Sequence, residues 1–411
     1  MKRASLAGAA VIGALLTVLA GADGLAQEVT PSFASGNAVE LAPAPPPKSE
    51  DKALNGPTKT DTKPDAKPVE GAAKRLPKPA FVGVPIPESS PAIGSGVTVV
   101  AAALYEPSGA GNVWTSGVGG IYTSTKSYGF GALQKAYFDH DRYRLTLGAG
   151  YGDFNLRFYG VGSLTSQDKY ITINQSGALA AVEGLVRVAP HTYVGPVYAF
   201  LDLKTTLPSA MVANITIPAY QLKSTDAGLG LTGEYDSRDS QYGPSRGIFA
   251  TARWMFSEPA FGSRFQYDRA TVWVNGYFTL TPTTILATRI SGCYASEGAP
   301  FYNICLYGQN NDLRGYLTGQ YRDPIMATGQ AEIRQHLFWK IGMVVFGGVG
   351  GIAPGANSLQ SRLGLGSAIF LPAGGVGLRF MVAPQYKLNL AVDEAWGSHS
   401  NGLYINIGEA F

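Results

Sequence analysis

From about Ser95 to Phe411 the chain is built of short segments in which apolar and polar residues alternate. Tyr143, Leu145, Leu147, Ala149 and Tyr151 fall on one side of a strand, and Arg144, Thr146, Gly148 and Gly150 on the other. Ala270, Val272, Val274, Phe278 and Leu280 oppose Arg269, Thr271, Asn275 and Thr279, and Leu388, Leu390 and Val392 oppose Lys387, Asn389 and Asp393. A period of two predicts β-strands with chemically different faces. A soluble sandwich also alternates, but it seldom puts Arg, Asn and Lys on so many inner faces. In a membrane barrel the apolar set meets lipid and the polar set lines the lumen.

The connections alternate as well. Asp139–Arg142, Ala189–His191, Thr281–Thr283, Phe338–Lys340 and Ala383–Gln385 are short turns. Leu207–Ser224, Glu258–Arg264, Glu297–Asp323 and Pro354–Ser367 are longer loops. Short turns on one side and long loops on the other suit an outer-membrane barrel, with the turns in the periplasm. The pattern gives about ten strands before Leu313-Arg314-Gly315-Tyr316 and about five after it, and a closed bacterial barrel needs an even number. Sixteen is the expectation, with fourteen open and with Val82–Pro87 a candidate for the missing strand. The fold class is therefore all-β, a transmembrane antiparallel β-barrel over residues 91–411.

Composition agrees. Charged residues make up 15% of the 411, while Gly numbers 52 and Tyr 22. A soluble domain carries about 25% charge. No run of about 20 apolar residues follows the N-terminus, so no membrane helix is expected there. The net charge of +3 and the lack of a basic stripe argue against nucleic acid. Residues 1–26 read as a secretory signal: Lys2 and Arg3, an apolar core from Ala7 to Leu19, then Gly24 and Ala26 before Gln27. A retained anchor helix is the alternative. Residues 27–90, with Pro43-Ala44-Pro45-Pro46-Pro47-Lys48, have too few apolar groups to offset ordering entropy. They read as a disordered Pro/Lys-rich periplasmic linker, a spacer or an arm with an unknown periplasmic partner.

Four motifs stand out. Leu313-Arg314-Gly315-Tyr316 sits in a long loop. Tyr235-Asp236-Ser237-Arg238-Asp239 is followed by Pro244-Ser245-Arg246-Gly247. Ala331-Glu332-Ile333-Arg334 opens the strand after the loop, and Ala391-Val392-Asp393-Glu394-Ala395-Trp396-Gly397 lies near the end. In this order, and with a terminal Phe411, they resemble the bacterial surface antigen outer-membrane barrels, the BamA/TamA-like superfamily, over about the last three quarters of the chain. The resemblance implies an Arg-Gly-aromatic loop folded into the lumen, a turn motif carried by Asp236, Arg238, Asp239, Pro244 and Gly247, and Phe411 as a signal to the barrel assembly machinery. It implies translocation or insertion of protein or lipid at the outer membrane of a Gram-negative bacterium, among outer-membrane lipid and lipopolysaccharide. Residues 27–90 do not read as the POTRA domains usual in that superfamily, so the likeness is to a subgroup without them.

Two positions depart from the family's pattern. Glu409 stands where an apolar or aromatic residue is usual. Phe346-Gly347-Gly348-Val349-Gly350 lacks the Asp that normally receives the loop Arg. A buried guanidinium without a carboxylate is costly, so another partner is required. Glu332, on one face with Gln330, Arg334 and His336, is the first candidate, and Asp393 the second. Cys293 and Cys305 flank the start of the loop and, in an oxidising compartment, can close a disulfide. Two free thiols are the alternative.

Nothing points to catalysis. His140, His191, His336 and His399 are scattered, without metal-ligand spacing. Ser398-His399-Ser400 lacks a third group, and the Gly347–Gly351 run precedes no helix. No catalytic residue, metal or cofactor is expected. A passive diffusion channel is the second reading of function, and an outer-membrane lipid-modifying enzyme the third.

Overall fold

The computed structural model describes residues 78–90, 93–158, 171–207, 210–212, 215–217, 220–300, 302–308, 312–316, 321–354, 368–398 and 400–411. The expected signal segment, and the linker up to residue 77, lie outside them. The strands are β1 (Ala80–Ser90), β2 (Gly94–Tyr105), β3 (Trp114–Thr123), β4 (Tyr128–Phe138), β5 (Tyr143–Phe158), β6 (Ile171–Ala189), β7 (Thr192–Leu207), β8 (Ala210–Val212), β9 (Ile215–Ile217) and β10 (Tyr220–Asp236). They continue as β11 (Gly247–Ser257), β12 (Tyr267–Thr281), β13 (Thr284–Ala295), β14 (Cys305–Leu306), β15 (Arg322–Asp323), β16 (Ile325–Phe338), β17 (Ile341–Ala353), β18 (Ile369–Ala383), β19 (Leu388–Gly397) and β20 (Asn401–Ile407).

Among the described residues sixteen strands form one antiparallel sheet in chain order, from β1 through β7, then β10 to β13, then β16 to β20. The pairs β8–β9 and β14–β15 are small ribbons within loops. The sixteenth strand is β1, which pairs with β2 in one register from Ala80↔Leu104 to Ser90↔Gly94. The barrel therefore begins near residue 80, ten residues before the expected boundary at 90/91. Val82–Pro87, the candidate for the missing strand, lies within it; Pro85 and Pro87 weigh against a strand assignment except at an edge. β1 is an edge. Successive N–H groups of a strand point to opposite sides, so prolines at i and i+2 remove donors from the same edge.

The alternation sets the two faces. Val97, Val99, Val118, Leu147, Val272, Val274, Ile333, Val345, Val376 and Leu378 point outward and are exposed. Exposed aromatics gather near both ends of the strands. Phe138, Tyr143, Tyr235, Phe338 and Trp339 lie on the turn side, and Tyr122, Tyr128, Phe256, Tyr294 and Trp396 on the loop side. An apolar band between two aromatic girdles is the outer surface of a membrane-spanning barrel.

The inner face departs from a uniformly polar lumen. Arg144, Glu183, Arg253, Arg269, Arg289, Glu332, Arg334, Arg379 and Asp393 are buried on it. Yet Val100, Leu104, Leu133, Phe154, Leu179, Val197 and Leu203 on β2–β7 are also inward, and none is more than 5% exposed. A water-filled lumen would wet such side chains. Tyr242 from the β10–β11 turn and Tyr302 from the loop after β13 pack against this apolar wall. These inserted side chains cover part of it.

No ladder joins β1 to β20 among the described residues. At the turn end the gap is bridged by side chains. Ala80 and Val82 share one cluster with Ala383, Tyr386, Leu388 and Ile407, and the Tyr386 hydroxyl donates to the Lys78 carbonyl at 3.1 Å.

Candidate functional site

The segment Asp312–Tyr316 lies inside the barrel against β13, β16, β18, β19 and β20. Arg314 is fully buried. One guanidinium nitrogen donates to Glu332 on β16 and another to Asp393 on β19. Its flat face lies over the Phe346 ring, 3.6 Å from the centroid. Both sequence candidates for the Arg partner thus contact it at once. Phe346 stacks where the strand has no carboxylate to offer.

The two carboxylates are themselves shared. Glu332 accepts from Arg334 at 3.0 Å, and Asp393 from Arg379 at 2.5 Å. Arg379 also pairs with Glu409 at 2.7 Å, and Glu409 lies 3.8 Å from Arg334. The result is a closed ring of alternating charge: Arg314, Glu332, Arg334, Glu409, Arg379, Asp393 and back to Arg314. Every member is at most 8% exposed. Three cations balance three anions, so the ring is neutral as a unit. Sequence reasoning found Arg314, Glu332 and Asp393. It missed the places of Arg334, Arg379 and Glu409, although the unusual Glu409 was the signal that could have found them.

The backbone of the loop is fixed as firmly. The Gly315 N–H donates to the Tyr404 hydroxyl at 2.7 Å, and the Ser400 hydroxyl donates to the Gly315 carbonyl. The Tyr316 hydroxyl donates to the Pro372 carbonyl at 2.5 Å and accepts from the Ser398 N–H at 3.1 Å. Gly315 has φ +120°, and a Cβ there would lie 2.9 Å from the Gly397 nitrogen. Only glycine fits such a position without strain. Leu313 and Tyr316 join an apolar cluster with Tyr307, Met326, Ile352 and Leu371. Cys293 on β13 and Cys305 form a disulfide within that cluster, with Cα atoms 5.7 Å apart. Ser398 and Ser400 are therefore both engaged in holding the loop, and His399 lies outside the described residues.

The turn motif occupies the opposite end. Asp236 accepts from Arg238 at 2.9 Å and 3.0 Å and lies 3.4 Å from Arg144. Asp239 caps its own turn, accepting from the Ser245 N–H at 2.8 Å and hydroxyl at 2.5 Å, and from the Arg246 N–H at 3.2 Å. Burial alone would raise the Asp239 carboxyl. The Ser245 and Arg246 donors, with Lys387 3.3 Å away, outweigh it and hold the carboxyl at about 2. Pro244 is buried, and Gly247 starts β11 with φ +105°. Tyr242, between the two halves of the motif, shares a hydrogen bond with Thr115 on β3. The turn thus reaches β3 on one side and the β18–β19 turn, through Lys387, on the other.

Phe411 is not at the lipid face. It is 2% exposed and packs with Phe249, Trp273, Tyr277 and Ala287 on the inner faces of β11, β12 and β13. His140 and His191 fall in turns and His336 near the turn end of β16. Among the described residues no three His, Cys, Asp or Glu side chains come together as a metal site.

The comparisons with known proteins fit this geometry. The structure of BamA from Haemophilus ducreyi lacking POTRA domains 1-3 is 16% identical, with 80% of this chain and 69% of that one covered and a TM-score of 0.54. CdiB from Acinetobacter baumannii is 12% identical, covering 80% and 59%, with a TM-score of 0.51. CdiB from Escherichia coli is 10% identical, covering 80% and 62%, with a TM-score of 0.52. At these identities the likeness is one of fold, and the chain spans about six tenths of either CdiB chain. A search of curated protein sequences finds no match. The Omp85 superfamily domain matches residues 110–411, from just before β3 through the docked loop to Phe411, and the chain belongs to the Omp85 superfamily.

Proposed function

We propose that this chain is an outer-membrane barrel that moves or inserts protein or lipid through the seam between β1 and β20. Its loops face outward and its turns face the periplasm, residues 1–26 are removed on export, and the residues up to 77 tether the barrel on the periplasmic side. One observation carries the reading. Among the described residues the seam strands share no ladder, while β18, β19 and β20 beside them are held from within by the Arg314 loop. A barrel meant to stay shut would pair its edges, since backbone groups left unpaired in lipid cost several kcal/mol each, roughly. Here the interior supplies the rigidity that the missing ladder does not. Prolines at 85 and 87 weaken the same edge.

The channel reading is disfavoured by the apolar, covered inner wall of β2–β7. The enzyme reading is disfavoured by the use of Ser398 and Ser400 in loop docking. The test is a seam lock. Val82→Cys and Ile407→Cys, residues of one seam cluster, are joined by a short bismaleimide in a strain whose own copy is deleted. Loss of the surface component that the deletion removes, with the uncrosslinked double variant complementing normally, supports the reading. Full complementation by the locked barrel overturns it.

A further inference from the structure

Four turns enclose a basin at the turn-side mouth of the barrel. The β10–β11 turn gives Pro244 and Ser245, the β12–β13 turn Pro282 and Thr283, the β16–β17 turn Lys340 and the β18–β19 turn Lys387. The basin holds about 340 Å³. Its rim is tightly built. A Cβ on Gly243 would lie 2.6 Å from the Lys387 carbonyl oxygen, so two of the turns touch, and the Lys387 ammonium reaches Asp239 at 3.3 Å. Arg334, Arg379 and Glu409 of the charge ring also line it, on the side of the barrel interior.

Cations exceed anions here. Three arginines face three carboxylates in the ring, and Lys387 has Asp239. Among the described residues Lys340 has no carboxylate partner; its ammonium lies 5.5 Å from the centroid of the Trp339 ring. The floor holds an unused donor as well. Arg334 gives its Nε to Glu332 at 3.0 Å and its Nη2 to the Phe411 carbonyl at 2.7 Å, while its Nη1 is buried without a hydrogen-bond partner. A buried donor on a charged group is costly to leave unmade. An excess of one positive charge, with donors at the rim and at the floor, is the complement of a monoanion that offers oxygens in several directions. A tetrahedral phosphate does so, and a planar carboxylate does not. Pro244, Pro282 and Ile285 on the same wall suit an ester substituent. Trp339, 71% exposed on the outer face beside Lys340, sets this turn at the level where a membrane carries its phosphates. We propose that the basin binds a phosphate group, held between Lys340 at the rim and Arg334 at the floor. Occupancy neutralises the excess charge and satisfies the Arg334 donor. This inference stands on the basin's own residues and does not depend on what the seam transports.

The test uses the full-length barrel folded in a neutral detergent. It is dialysed to equilibrium against radiolabelled inorganic phosphate and, separately, radiolabelled glycerophosphoglycerol, at constant ionic strength. Saturable retention of at least one is expected. Lys340→Gln, in a turn and outside the charge ring, should weaken it at least about tenfold, the worth of one charge-assisted contact. Lys387→Gln should weaken it too, Lys340→Arg should keep it, and Arg142→Gln on the β4–β5 turn should leave it unchanged. Tighter retention of glycerophosphoglycerol assigns the phosphate to a lipid headgroup, and tighter retention of inorganic phosphate assigns it to a free anion; either supports the site. No saturable retention of either probe overturns the proposal. So does equal retention by wild type and folded Lys340→Gln, or displacement by acetate as effective as by phosphate.

Discussion

Replacing Arg314 with Ala removes one cation from a ring that is neutral with it. Its side chain is fully buried, and its two carboxylate partners are at most 1% exposed. Breaking a buried pair by deleting one partner costs about 3–5 kcal/mol, because the other charge stays behind. Here each orphaned carboxylate keeps a second arginine, Glu332 at 3.0 Å from Arg334 and Asp393 at 2.5 Å from Arg379. That places the cost near the lower end, about 3 kcal/mol, or roughly two powers of ten in the folded-to-unfolded ratio. The ring would then hold two cations against three anions. Adding Glu332→Gln restores the balance, so the two changes should not add. The double variant should be about 1–3 kcal/mol more stable than the sum of the single variants. Urea unfolding from lipid vesicles, followed by tryptophan fluorescence and checked by heat-modifiable gel mobility, measures all four corners of the cycle. Arg314→Lys should fall between, since an ammonium keeps the charge but cannot bridge two carboxylates as a planar fork does. Additivity within about 0.5 kcal/mol would show that the ring does not act as a unit, and the reasoning would fail.

Other outcomes follow from the same interior. Gly315→Ala should destabilise the docked loop by about 1–3 kcal/mol, since it adds a Cβ 2.9 Å from the Gly397 nitrogen at φ +120°; limited proteolysis of residues 312–324 reports it as faster cleavage. Reducing Cys293–Cys305, twelve residues apart, should lower stability by about 3 kcal/mol in the chain-entropy model, with no further effect of reductant on a Cys293→Ala, Cys305→Ala variant. Asp239 carries a pH signature. Its carboxyl is held at about 2 in the folded turn against 3.8 for an ordinary aspartate, so its stabilisation is present above about pH 4. It is lost as the pH falls through about 2. Amide exchange over residues 237–246, corrected for the intrinsic rate, should accelerate across that window in the wild type. In Asp239→Asn it should already be fast at pH 5.

Much of the wall was legible because its signal is local. Each strand crossing lipid must repeat its apolar residues every second position, and Val272, Val274 and Phe278 do so whatever their neighbours are. β1 was harder, since Pro85 and Pro87 are tolerated only at an edge, and a linear reading cannot know which strand is an edge. The apolar inner wall was not legible either. Val100 or Leu133 reads as lipid-facing until the side of the sheet is known. At the candidate site, Arg314 announced that it needs a carboxylate, and the face shared by Gln330, Glu332 and Arg334 supplied one. The closed ring did not announce itself, because Arg379, Asp393 and Glu409 come from β18, β19 and a tail that leaves the wall.

By itself the sequence determined an all-β barrel of alternating faces, a loop bearing an arginine in want of an anion, and a pair of cysteines near its base. Those follow from periodicity and the cost of unpaired charge, which act within a few residues. Only the tertiary structure decided that Arg314 takes both Glu332 and Asp393, that Phe411 lies inside and not against lipid, and that β1 and β20 meet without a ladder among the described residues. Each depends on which strands curvature brings face to face across the lumen, and that is a property of the closed sheet rather than of any stretch of chain.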